Sequence, residues 1–292
     1  MSTPLMHAID SRSASALASG DLVPVQSEQI EMDDGGMRFR VLWVASLAAK
    51  DATAQVAIPG GPRDPNFNPF LNPDPALTVG PIGEHHTIIL NKFPLTARHL
   101  VLARRVFAEQ LEPLNLADFT ALALVMTEAG GLGLYNGGTA AGASQRHKHL
   151  QWIPGTDEQA NLRLYLPGLP QGAQPLEVAR HPALPLQHCF VRIGEMQGAP
   201  VEQTATTLHQ AFQVACSQLG LAPDTDGCLP ACNLLVGDGW LLLIPRSQEM
   251  VEGISLSAIC FGGALYLRQP EQMELVRREG PLKVLGAVGY PL

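Results

Sequence analysis

Short apolar runs alternate with polar, turn-rich segments along much of this chain. His86-Thr87-Ile88-Ile89-Leu90 and His99-Leu100-Val101-Leu102-Ala103 are apolar and partly β-branched, and both read as strands, joined by residues 91–98 with Pro94 among them. Over 116–129 the period becomes helical. Leu122, Val125 and Met126 recur at helical spacing, Asn115 is a fitting N-cap, and Gly130-Gly131 stops the helix. A short strand at 133–136, a glycine-rich loop at 137–146 and a strand at 147–153 complete this region. Residues 59–81, dense in Pro, Gly, Asn and Asp, predict a long irregular loop.

The loop-rich stretch 154–185 separates a main lobe from a C-terminal part. That part carries a strand near 187–193 and a helix near 201–219. Two apolar runs, 232–236 and 240–244, flank Gly237-Asp238-Gly239, a strong hairpin signal. A last helix is expected at 271–278, and no internal repeat is visible. The pattern predicts an α+β fold in which an antiparallel sheet carries the 147–153 strand and the 116–129 helix covers one face.

Composition narrows the function. With 292 residues, 46% hydrophobic and 16% charged, the chain can bury a sizeable core. Its formal net charge of -8 argues against broad nucleic-acid binding but leaves room for a phosphorylated small molecule held by a few local cations. No apolar run is long enough for a membrane span, and residues 1–20 lack a secretory signal's basic start and apolar stretch. Five thinly spread cysteines, with Cys228 and Cys232 lacking a second pair, fit reduced thiols in a cytoplasm better than a zinc site.

The chemistry is concentrated in His147-Lys148-His149-Leu150-Gln151. On a strand, His147, His149 and Gln151 share one face, and Lys148, Leu150 and Trp152 the other. The preceding loop, with Gly137, Gly138, Gly142, Ser144 and Gln145, lets backbone N–H groups approach an anion; Arg146 or Lys148 would add charge where the twist allows. Neutral imidazole is nucleophilic near pH 7 without a separate base. The same pair also suits zinc with a third ligand elsewhere, or two structural histidines at a sheet edge.

The segment Gly142-Ala-Ser-Gln-Arg-His-Lys-His-Leu-Gln151 resembles the signature of the ATP adenylyltransferases, or diadenosine tetraphosphate phosphorylases. These form the branch of the histidine-triad superfamily whose last triad histidine is glutamine. The resemblance extends to Asn91-Lys92-Phe93 with His99-Leu-Val-Leu, to Tyr135-Asn136-Gly137-Gly138, and to Cys232-Asn233 through Ser247, spanning residue 37 to the C-terminus. Ala143 and Arg146 depart from it, standing where a serine and often a proline are expected.

The resemblance implies a histidine-triad-like core in which His149 is the nucleophile that takes AMP, His147 orients the site or assists the leaving oxygen, and Gln151 holds the α-phosphate. It implies phosphate contacts from Gly142, Ser144 and Gln145, and nucleotide contacts from Lys50, Asn91, Lys92 and Asn136. Asn233 and Arg246 become candidates for the polyphosphate or second nucleotide. The expected organisation is an unassigned extension at 1–36, a catalytic region at 37–165 and a C-terminal region at 166–292 that completes the nucleotide site. The expected activity is reversible phosphorolysis of diadenosine tetraphosphate to ATP and ADP in the cytoplasm. Magnesium arrives with the polyphosphate, without a protein ligand set, and a monomer is preferred. The rivals are a hexose-1-phosphate uridylyltransferase-like enzyme and a non-catalytic nucleotide sensor.

Overall fold

Strand residues 240–245 alternate between two buried environments: Trp240, Leu242 and Ile244 lie in one apolar cluster, Leu241 and Leu243 in another. A strand apolar on both faces needs cover on both. The computed structural model, which describes residues 3–24, 28–43 and 68–292, supplies it with two layers.

The central layer is a nine-stranded sheet. It contains β3 (Thr78–Ile82), β4 (His86–Leu90), β5 (Leu100–Arg104), β6 (Leu132–Gly137), β7 (His149–Ile153), β8 (Val178–Ala179), β9 (Cys189–Arg192), β10 (Cys232–Gly237) and β11 (Trp240–Pro245). The order is β3-β4-β5-β7-β6-β10-β11-β9-β8, and every neighbouring pair is antiparallel.

On one side lie α1 (Pro4–Ser19), α2 (Leu116–Ala129) and α3 (Val201–Gln218), which contribute Ile9, Phe119, Leu122, Met126, Leu208 and Phe212 to the first cluster. On the other lie β1 (Glu28–Asp34) and β2 (Met37–Trp43), followed later in the chain by a small hairpin, β12 (Met250–Val251) with β13 (Ile254–Ser255). A short α4 (Ala258–Phe261), β14 (Ala264–Leu267), α5 (Pro270–Glu279) and α6 (Pro281–Gly286) complete this layer, in which β14 joins β2 in parallel.

Several local rules are visible. Asn115 Oδ1 accepts from the Ala117 and Asp118 N–H groups while Asp118 returns a bond to Asn115 N, closing a capping box on α2. Gly237 pairs with Trp240, and Asp238 and Gly239 both have positive φ (49° and 79°), as a two-residue hairpin turn requires.

Other expectations change. Residues 59–67 of the expected long loop lie outside the described residues, but 78–82 are a strand. Its register shifts between Thr78 and Gly80, and Pro81 is tolerated because β3 is an edge. Residues 271–278 do not form the last helix; Pro281 starts another, α6.

The sheet also has a repeat that residue types conceal. The path β5–α2–β6–β7 leaves the order β5-β7-β6, and β9–α3–β10–β11 leaves β9-β11-β10. The units meet where β6 pairs with β10. A tight turn joins the second hairpin, whereas residues 138–148 are inserted in the first, and this insertion is the glycine-rich loop. Residues 1–36, unassigned from sequence, contribute α1 and β1 to the two outer layers, and residue 165 falls between β7 and β8 of one continuous sheet.

Candidate active site

β7 is held on both sides. His149 pairs with Ala103 of β5, and Gln151 lies between Val101 of β5 and Leu134 of β6. Leu150 and Trp152 point into the helical cluster, so His149 and Gln151 project from the opposite face. Strand pairing starts at His149 instead of the expected 147; His147 is attached by a single bridge to Glu109. The shared direction nevertheless holds, because both imidazoles pack against Phe70, with ring centroids 5.9 and 4.9 Å away.

The His149 Nδ1–H donates to the carbonyl of His147 at 2.8 Å. A carbonyl can only accept, so the ring's proton lies on Nδ1 and Nε2 carries a lone pair. The side chain is buried, and desolvation lowers its pKa to about 4 against the opposing pull of the His147 carbonyl. This histidine is neutral at physiological pH. His147 donates Nε2–H to Arg104 O at 2.7 Å, and its Nδ1 stands 3.0 Å from Asn68 Oδ1. Burial lowers its pKa as well, partly opposed by the Arg104 carbonyl.

Gln151 is oriented by His99, whose Nε2 lies 2.7 Å from Gln151 Oε1. Burial lowers the His99 pKa to about 4, against a smaller raising effect of that bond. A neutral His99 donating to Oε1 leaves the Gln151 amide N–H groups for another acceptor. Asn91 Nδ2 lies 3.4–3.5 Å from the His99 ring nitrogens, and its backbone N–H donates to His99 O. Lys92 is exposed beside it.

The glycine-rich loop leaves β6 and winds through one 3-10 turn, Thr139–Ala141. Gly142 has a φ of 85°, and a Cβ there would stand 2.9 Å from Ser257 Cβ, so geometry and space both demand glycine. Ala141 and Ala143 N–H groups bond Gly138 O. Among the described residues, the backbone N–H groups of Ser144 and Gln145 have no acceptor. Ser144 is exposed and Gln145 half-buried.

Behind the loop is a buried polar chain. Asn233 Nδ2 donates to Asn136 Oδ1 and to Ala141 O, both at 2.9 Å, and Asn136 Oδ1 also accepts from Ala258 N at 2.8 Å. Arg246 bonds Asn233 Oδ1, Val288 O, Gln248 O and Glu249 O. Burial lowers its pKa to about 10, while the Cys260 thiol and Glu249 act in the opposite direction. Asn233 is 0% and Arg246 2% exposed. These hydrogen bonds of both residues run to protein groups, and they support the loop from beneath. Asn136, also buried, has its carboxamide oxygen committed to the same chain of bonds.

The two local cations part company. Lys148 points to the helical side, where Nζ bonds Pro113 O at 2.8 Å and lies 3.5 Å from buried Asp118. The strand's alternation sends it there, away from the loop. Burial works against the charge of Asp118, but His86, Lys148, Asn115 and Arg104 together outweigh it and hold the carboxyl well below the usual range. Arg146 is exposed and paired with Glu109 at the rim. Lys50 lies outside the described residues.

Sequence reasoning did not single out Gln110, nor Asn68 and Phe70 within the expected 59–81 loop; His99 entered as a strand residue and in the family resemblance, without a role. Gln110, Asn68 and Phe70 reach the two histidines, and His99 reaches Gln151, from distant segments.

Comparison with known proteins identifies the family. The Ap4A phosphorylase N-terminal domain model matches residues 1–167, and the ATP adenylyltransferase C-terminal domain model matches residues 182–291. Diadenosine 5',5'''-P1,P4-tetraphosphate phosphorylase 2 of Saccharomyces cerevisiae is 27% identical over 262 residues, covering 77% of this chain and 76% of its own. Protein APA1 of the same yeast is 25% identical over 319 residues, covering 97% and 93%. The crystal structure of yeast Ap4A phosphorylase Apa2 in complex with AMP superposes with a TM-score of 0.78 at 19% identity, covering 100% of this chain and 99% of that one. Its complex with Ap4A gives 0.77 at the same identity, so the fold is shared throughout. This chain belongs to the Ap4A phosphorylase family, with an ATP adenylyltransferase C-terminal domain.

Proposed function

We propose that this protein catalyses the reversible phosphorolysis of diadenosine tetraphosphate to ATP and ADP through an adenylyl-histidine at His149. The observation that carries this reading is a buried, neutral imidazole whose Nδ1 proton is pinned by His147 O while Nε2 keeps its lone pair. A relative named for the same phosphorolysis supports the substrate.

In the first step Nε2 attacks the α-phosphorus, an N–P bond forms, and the bond to the bridging oxygen breaks to release ATP. In the second, an oxygen of inorganic phosphate attacks the same phosphorus, the N–P bond breaks, and ADP leaves. Alkylation-like loading of Nε2 makes the ring cationic, and the His147 carbonyl faces the proton that carries this charge. His147, held through its Nε2–H by Arg104 O, acts by positioning that carbonyl. Gln151, turned by His99, offers amide N–H to the α-phosphate, and the N–H groups of Ser144 and Gln145 receive the polyphosphate. Asn91 and Lys92 lie at the edge of this face for contacts with nucleotide. Magnesium enters bound to the polyphosphate; the described residues contain no cluster of three ligating side chains for it.

Gln151 also accounts for the acceptor. An amide cannot shuttle a proton from water, so an acceptor that is already anionic is favoured. Incubation of diadenosine tetraphosphate with magnesium, with and without phosphate, tests the reading. Phosphate-dependent ATP plus ADP is the expected result; phosphate-independent ATP plus AMP would overturn it.

A further inference from the structure

The β6–β7 ladder pairs Leu132 with Ile153 and Leu134 with Gln151. The next step in that register sets Asn136 against His149, and there the direct pairing stops. The carboxamide of Gln110, 3% exposed, stands between the two backbones. Its Oε1 accepts from His149 N–H at 2.8 Å, and its Nε2 donates to Asn136 O at 2.8 Å and to His149 O at 3.1 Å.

A primary amide offers a donor and an acceptor side, the same complement as a peptide group, so it satisfies both strands while holding them apart. The segment carrying it is itself fixed. Gln110 N donates to Arg146 O at 2.7 Å, Lys148 N donates to Ala108 O at 2.9 Å, and the Tyr135 hydroxyl donates to Gln110 O. One side chain thus touches the main chain of His149, the last turn of β6 and, through its own backbone, the end of the glycine-rich loop.

We propose that Gln110 is a positioning residue for the nucleophile: it splits the sheet at His149 and sets the depth and angle of the imidazole relative to the phosphate loop. This rests on the adenylyl-transfer reading of the site. Misplacing a nucleophile by about 1 Å costs on the order of 100-fold in rate without a matching loss of binding.

The substitution Gln110→Glu keeps the shape but, when ionised, has no proton for Asn136 O or His149 O. Those two carbonyls raise its pKa, and the protonated carboxyl regains one donor. The expected result at pH 8 is a kcat lowered on the order of 100-fold with KM within about threefold of wild type. The ratio of variant to wild-type kcat should then rise about tenfold or more on going from pH 8 to pH 5. Ionisable neighbours are Glu109 and Glu112 on the same segment, Tyr135 on β6, and His147, Lys148 and His149 beside it; taking the ratio to wild type removes their own titration. Gln110→Asn, one methylene too short to span both strands, should lower kcat about tenfold or more, with a ratio that is flat in pH.

A Gln110→Glu enzyme within threefold of wild type at pH 8, or a loss that is flat with pH, overturns the proposal. So does unfolding of both variants, which would make the residue structural only. Labelled adenylyl-His149 in the wild type is measured first. Its absence counts against the proposed function, whereas a labelled wild type with an indifferent Gln110→Glu variant counts against Gln110 alone.

Discussion

Asn233 Nδ2 lies 2.9 Å from Asn136 Oδ1, and this bond fastens the C-terminal half of the sheet to the start of the glycine-rich loop. The two residues are also register partners across β6 and β10. Arg246 stands behind them, bonded to four oxygens. Arg246→Met would leave Asn233 Oδ1 buried without a donor, whereas Val288 O and Glu249 O keep the Ser247 and Leu256 N–H groups. We expect a loss of about 1–3 kcal/mol in urea denaturation, and a several-fold higher KM for diadenosine tetraphosphate in the protein that remains folded. A destabilised variant with an unchanged KM would disconnect this chain of bonds from the loop.

His149→Ala should lower the rate by about three powers of ten or more, because placement cannot replace a nucleophile. Radiolabel from the α-phosphate should remain on wild-type protein after acid-free gel filtration and be missing from the variant. Near-normal phosphorolysis by His149→Ala would end the covalent mechanism.

Burial holds both His149 and His99 at a pKa of about 4, below the unfolded value of 6.5. Each group is neutral in the fold while the unfolded chain takes up its proton first. Their stabilising effect is therefore fully present above pH 6.5 and lost as pH falls from there to 4. Denaturation midpoints should drop across that window, by an amount equivalent to at most roughly 3 kcal/mol per histidine. For the same reason the acid limb of kcat, followed where the enzyme stays folded, should show no protonation of His149 near 6.5.

Gln151→His restores a group that can carry a proton. The share of AMP derived from water should rise relative to ADP when phosphate is limiting. An unchanged ratio, read by chromatography of the products, would remove Gln151 from the choice of acceptor.

Gly142→Ala tests the loop. A φ of 85° strains any Cβ, and the new atom would lie 2.9 Å from Ser257 Cβ. We expect about 1–3 kcal/mol of destabilisation and weaker nucleotide binding by calorimetry. Unaltered affinity would show that the loop does not hold the phosphates.

What could be read from sequence was whatever local rules govern. The Asn115 cap, the Asp238-Gly239 turn and the one-sided presentation of His147, His149 and Gln151 depend on neighbours within a few positions. β3 was hidden because an edge strand with a bulge tolerates glycine and proline, which otherwise signal a loop. Gln110 and Asn68 act through tertiary contacts with no spacing rule to betray them, and the resemblance that included His99 gave no sign of its bond to Gln151. Asn233 and Arg246 came from the family resemblance, and their burial among protein oxygens is a tertiary fact that no local pattern carries. Lys148 lies where alternation puts it, on the face opposite His149, bonded to Pro113 O beside Asp118.

The seam between β6 and β10 makes the two portions of the chain interdependent. The two family models end and begin on either side of residues 168–181, yet each portion contributes one strand to that seam. Separated, either portion would present a bare central edge to solvent, where strands readily find the wrong company. The two portions therefore depend on each other to cover those edges.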